Sequence, residues 1–190
     1  MYVTEVFAGN MARSKSEAGE GKYYASVRAA NRTIPDPLLK LLLRQKYHIK
    51  GEHSAAKICH WTGSQLTGGE ACYKNRFYGI ASHRCIQGTP VLLFCNHACV
   101  FCWRVMPEKS MKFDELPAKR FKWDEPEKIV EWLIEAQREI ISGFGGNKKV
   151  GRKLYDEAMK PKHVALSLTG EPTMYPHMSR LLEEFHKKGI

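Results

Sequence analysis

No apolar run in this 190-residue sequence approaches the ~18 residues that a membrane-crossing helix needs. The first twenty residues hold no apolar centre of the kind a secretory signal requires; they are polar and contain several Gly and Ser. No segment repeats another, which argues against a solenoid or propeller. Acidic residues are scarce: 20 Asp+Glu stand against 30 Lys+Arg, for a formal charge of +10. That surplus suits a polyanionic partner such as nucleic acid, through phosphate neutralisation and counterion release, although a basic soluble protein would show it too. With 43% apolar and 11% aromatic residues, the chain is too apolar for disorder and long enough for one domain with a core. The expected location is the cytoplasm, with no membrane association. Thiols stay reduced there, so the six cysteines read as ligands rather than disulfides.

Three stretches differ in texture. Residues 1–34 are weakly patterned and read as an N-terminal extension, disordered or loosely docked. Residues 35–88 read as a helical and irregular segment. There Pro35-Asp36-Pro37 opens a helix through Leu38, Leu39, Leu41, Leu42 and Leu43 to Tyr47, with Asp36 as cap and Pro37 in the first turn. A second helix is expected from His53 to Trp61, with residues 62–90 irregular. Residues 89–190 alternate between elements. Pro90 to Phe94 is a short continuous apolar run, as in a buried parallel strand. A long loop reaches Arg120. Asp124 and Pro126 then start a helix whose apolar face is Ile129, Val130, Leu133, Ile134, Ala136, Ile140 and Ile141, ended by Gly143. A short helix over 152–159, a strand over Val164–Leu168 and an amphipathic helix around Met178, Leu181, Leu182 and Phe185 complete the chain. Strand, helix, strand, helix predicts an α/β fold, the start of a parallel sheet or barrel, with one sheet edge unpaired.

The cysteines fall into two groups. Cys95, Cys99 and Cys102 form CxxxCxxC directly after the expected strand at 90–94. Three thiolates on one tight loop can hold three irons of a cubane and leave the fourth open. Structural zinc sites use paired CxxC knuckles and four ligands; a zinc site with His97 as fourth ligand is the alternative. Cys59, Cys72 and Cys85 follow CX12CX12C. They are three unrelated thiols, a zinc site completed by His53, His60 or His83, or the ligands of a second cubane.

CxxxCxxC after a first strand, with Phe101 before the third cysteine, resembles the radical S-adenosylmethionine superfamily. Leu168-Thr169-Gly170-Glu171-Pro172 resembles that superfamily's Gly-Gly-Glu-Pro turn, with Thr169 in place of the first glycine. The pairing of CX12CX12C with CxxxCxxC is similar to tRNA 4-demethylwyosine synthases. So are Cys72 to Ile80, His83 to Gln87, Phe101 to Arg104 and Lys162 to Thr173. The resemblance covers the sequence from about Pro35 onward.

It implies a (β/α)6 partial barrel, of which this sequence reaches the first two βα units, and the shorter archaeal type without a flavodoxin-like domain. It further implies two 4Fe–4S clusters, one on Cys95, Cys99 and Cys102 and one on Cys59, Cys72 and Cys85. S-adenosyl-L-methionine would bind at the first, against Phe101, Gly170, Glu171 and Pro172. The implied reaction joins pyruvate to N1-methylguanosine in tRNA-Phe, with pyruvate held by Lys74 as a Schiff-base lysine, by the open iron of the cluster on Cys59, Cys72 and Cys85, or by both, and with flavodoxin or ferredoxin as external electron donor to a monomer. Apart from the resemblance, Lys74 would read as one more solvated lysine. Two further readings are a radical enzyme with another substrate and a non-catalytic, zinc-stabilised RNA-binding module.

Overall fold

A computed structural model describes residues 16–31, 34–97, 99–105 and 122–190, the stretch 16–20 as backbone only. The expected loop around 106–121 and the start of the extension lie outside these residues. Seven helices and one four-stranded sheet are described. α1 (Ser16–Ala30), α2 (Asp36–Arg44), β1 (His48–Lys50) and β2 (Ser54–Ala56) come first. α3 (His60–Leu66), α4 (Tyr73–Tyr78), a 3-10 turn (Ser82–Arg84) and β3 (Cys85–Thr89) follow. α5 (Pro126–Ser142), α6 (Arg152–Ala158), β4 (His163–Leu166), a second 3-10 turn (Pro172–Met174) and α7 (Met178–Lys187) end the order.

The sheet runs β1-β2-β3-β4. β3 and β4 are parallel, in register from Cys85 opposite His163 to Gly88 opposite Leu166. β1–β2 and β2–β3 are antiparallel, so the sheet is mixed rather than purely parallel. α5 lies across it, burying Ile129, Val130, Leu133, Ala136 and Ile141 completely. Gly88 allows this approach, since a Cβ there would stand 3.1 Å from the Leu133 side chain. Leu181 and Phe185 of α7 join the same core.

Several elements differ from expectation. The first parallel strand is Cys85–Thr89, not 90–94. Val91, Leu92 and Leu93 are buried as expected, but in a turn: Phe94 N donates to Val91 O at 2.9 Å, and Leu93 has φ +70. An apolar run reports burial, and burial alone does not distinguish a strand from a buried turn. β3 was hidden because only Ile86 in Cys85–Thr89 is a large apolar residue. The helix expected over 53–61 is strand β2 followed by α3, and α4 and β3 lie within the supposedly irregular 62–90. α2 starts after Pro35, and Asp36 pairs with Arg28 of α1 instead of capping. The extension carries α1, whose Val27 is buried with Leu39, Leu42 and Leu93.

A buried polar hub joins these pieces. His53 is fully buried. Its Nδ1 donates to Pro90 O and its Nε2 accepts from Asp124 N at 2.8 Å. Its carbonyl accepts from Leu92 N at 2.6 Å. Tyr175 donates to Asp124 O at 2.6 Å, and Glu52 N donates to the Asp124 carboxylate at 3.2 Å. Asn31, also fully buried, donates to Glu52 O at 2.8 Å and so binds α1 to the hub.

His53→Ala leaves buried partners unsatisfied and should cost about 2–4 kcal/mol, read from denaturant unfolding. Burial also holds the imidazoles of His48, His53 and His163 below the ordinary histidine range. The unfolded chain takes up these protons near pH ~6.5 while the folded chain resists, so this stability is present above that pH and lost as pH falls below it. The unfolding midpoint should therefore drop between about pH 7.5 and about pH 5.5; a midpoint that rises would contradict the assignment.

Candidate functional site

The two faces of the sheet differ in character. Ile86, Val164 and Leu166 pack toward α5 and α7. Alternation along β3 sends Cys85 and Gln87 to the opposite face. There Gln87 donates to Ser167 Oγ at 3.2 Å. Lys57 lies next to β2 on the same face, its N–H bonded to Gln87 O.

Cys59, Cys72 and Cys85 each stand where an element begins. Cys59 precedes α3, and its carbonyl accepts the Gly63 N–H at 3.0 Å. Cys72 precedes α4 and accepts from Asn75 N at 2.8 Å. Cys85 opens β3. Thr62, donating to Ser82 O at 3.0 Å, ties α3 to the turn before Cys85. The equal sequence gaps thus span two short helices and the loops that return the chain to one place. Burial pushes the Cys85 thiol up to about 11; the Cys59 and Cys72 thiols add to the rise and Lys74 opposes it. Three thiols and Lys74 therefore share one electrostatic neighbourhood. Lys74 is half-buried, whereas its neighbour Tyr73 is exposed.

The second group lies on one loop. Cys95 is half-buried and Cys99 and Cys102 are exposed, with Cys102 N donating to Cys99 O at 2.9 Å. Residues 167–171 grip this loop at both ends. On the near side Glu171 N donates to Phe94 O at 2.6 Å. Gly170, at φ +102, lies so close that a Cβ would stand 2.0 Å from Val91 O. On the far side Thr169 donates to Val105 O, and Arg104 donates to Ser167 O at 2.9 Å. Pro172 opens the second 3-10 turn, where the Glu171 carboxylate accepts from Thr173 N and Oγ1 at 3.1 and 2.6 Å. Those bonds, helped by His97 at 3.6 Å, hold Glu171 below the ordinary glutamate range. Phe101 points into solvent at 82% exposure.

Residues outside the two motifs link the groups. Lys57 Nζ sits 4.9 Å from the Tyr47 ring centroid. Burial, then the charge of Arg104, lowers the Lys57 ammonium. Burial raises the Tyr47 phenol, with Arg104 opposing and Cys102 adding. Lys57 lies two residues before Cys59 and Arg104 two after Cys102, so the segments bearing the two groups approach each other. Sequence reasoning passed over Tyr47, Lys57 and Arg104; closeness in sequence to a cysteine was the one available signal.

The histidines considered for zinc are engaged otherwise. Both ring nitrogens of His53 are bonded within the hub. His83 Nε2 meets Glu157 at 2.7 Å, and the His60 ring packs on Trp61. Among the described residues no three His, Cys, Asp or Glu are grouped to hold a metal ion. All six cysteines are free thiols. No described helix is long and apolar enough to cross a membrane.

No family model matches the chain. A relative from Pyrococcus abyssi, named S-adenosyl-L-methionine-dependent tRNA 4-demethylwyosine synthase, is 51% identical over 161 residues, or 85% of this chain and 46% of its own. Among solved structures, TYW1 with a lysine–pyruvate adduct bound is 43% identical with a TM-score of 0.72, over 83% of this chain and 49% of that one. A crystal structure of archaeal TYW1 is 38% identical with a TM-score of 0.67, over 83% and 50%. The chain spans about half the length of the Pyrococcus and Methanocaldococcus relatives it matches. From this identity and the matching fold, the chain belongs to the tRNA 4-demethylwyosine synthase family.

Proposed function

We propose that this chain carries the radical-generating and pyruvate-binding part of an enzyme that condenses N1-methylguanosine in tRNA-Phe with pyruvate to form 4-demethylwyosine. One observation carries the reading: residues 167–171 grip the CxxxCxxC loop at both ends, which supports a single site built from cysteines and the Gly-Glu-Pro turn. β3 and β4 with α5 and α7 outside them correspond to the opening of a (β/α)6 partial barrel, with the polar face of the sheet turned to its interior.

The donor chemistry suits two 4Fe–4S clusters. In a cubane each thiolate binds its own iron, so three cysteines need not converge on the single point that one metal ion demands. Cys95, Cys99 and Cys102 would hold one cluster and Cys59, Cys72 and Cys85 the other. When bound, the first cluster and S-adenosyl-L-methionine supply a one-electron cleavage that yields a hydrogen-abstracting radical; the electron comes from an external donor, a flavodoxin or ferredoxin.

The chain's own groups position the reactants. Gly170, Glu171 and Pro172 would present a backbone edge and a carboxylate to the amino group of the cofactor's methionine part, and Phe101 would help to bind the cofactor. Glu171, held ionised by Thr173, suits a cationic amine. Lys74 acts on pyruvate: its amine adds to the keto carbon, water leaves, and the resulting C=N bond draws electrons from that carbon. The related TYW1 structure with a lysine–pyruvate adduct bound supports this role.

Anaerobic reconstitution should load about eight irons per chain, and replacing Cys95, Cys99 and Cys102 together with serine should remove about half. Iron content unchanged in that triple variant refutes the ligand assignment. Borohydride should trap labelled pyruvate on the parent protein and not on Lys74→Ala; equal trapping on both would move the adduct to another amine, with Lys57 next in line.

A further inference from the structure

α4 is two-sided. Cys72 at its start is 9% exposed, and Lys74 and Asn75 turn inward, with Asn75 donating to Ile80 O at 2.8 Å across the left-handed Gly79. The outer side is open: Tyr73 and Phe77 are 56% and 73% exposed, with exposed Arg76 beside them, and Tyr78 at the helix end is 72% exposed. Three large rings in solvent on one six-residue helix are a poor use of apolar area unless something covers them. From Ala71 to Pro107, 37 residues, the sequence holds no Asp or Glu, whereas Lys74, Arg76, Arg84 and Arg104 fall within it. Local charge of one sign selects a polyanion, and the flat rings select a partner with flat faces of its own.

We propose that Tyr73, Phe77 and Tyr78, with Arg76 among them, form a platform on which unpaired bases of an RNA loop stack. The inference rests on the RNA reading above and adds the surface and the recognition chemistry. Aromatic rings and arginine planes hold splayed bases of single-stranded RNA in this way, while duplex RNA keeps its bases out of reach. Tyr and Phe lose few torsions when they engage, and α4 is already fixed by buried Cys72 and the Asn75 bond.

The test uses the full chain and fluorescein-labelled RNA, a single strand and a hairpin stem without a loop, read by anisotropy at low salt. Phe77→Ala and Tyr78→Ala should each weaken single-strand binding about fivefold to a hundredfold and leave stem binding unchanged. Phe77→Trp should restore affinity. The salt slope should stay that of the parent in the aromatic variants and flatten in Arg76→Ala, because stacking releases no counterions. Thermal unfolding followed by circular dichroism should coincide for parent and variants. If the parent binds RNA and the aromatic variants bind equally well, the platform is overturned and the RNA reading stands. If stem and single strand weaken together, stacking is overturned in favour of general charge. A parent that binds no RNA at low salt removes both.

Discussion

The His53 imidazole has no contact with water, yet two stretches far apart in sequence, at Pro90 and at Asp124, use it as their polar partner. Through Pro90 it sets where the turn before the cysteine loop begins. Through Asp124 it sets where α5 begins. Its own carbonyl holds Leu92. A neutral ring with Nδ1–H is the one form that donates to a carbonyl and accepts an amide at once. Protonation would put a second donor opposite the Asp124 N–H. The placement of the loop bearing Cys95, Cys99 and Cys102 thus depends on the tautomer of this buried ring.

From this hub the sheet acquires its two characters. α5 and α7 take one side, and glycine at position 88 lets α5 settle against the strands. The other side keeps Cys85, Gln87 and Lys57, groups that would be costly under a helix and are useful beside polar reactants. β4 pairs with β3 alone among the described residues, an edge to which further parallel strands could add.

The motifs with fixed spacing were legible in the sequence, and so were the helices with long apolar faces. α5 declares itself because five of its apolar residues are fully buried along one stripe, and α7 does so with Leu181 and Phe185. β3 was not legible: a strand of Cys, Ile, Gln, Gly and Thr lacks the alternation of large apolar groups that marks a strand. Val91 to Leu93 misled for the complementary reason, since tertiary burial put apolar residues in a turn. α1 is similarly faint, because much of what fixes it is polar, Asn31 to Glu52 and Arg28 to Asp36. The gathering of Lys57, Arg104 and Tyr47 depends on how loops return, which no local pattern encodes.

The contact between Gly170 and Val91 O is made by backbone on both sides. Side chains can change rotamer and so lend a site compliance, but two main chains in contact leave little slack. The cysteine loop and the Gly-Glu-Pro turn therefore move as one body under thermal agitation. Whatever spans them has its length set by covalent geometry rather than by the choice of neighbouring residues. Substitutions elsewhere on the polar face of the sheet can change the lining of this region without altering that length.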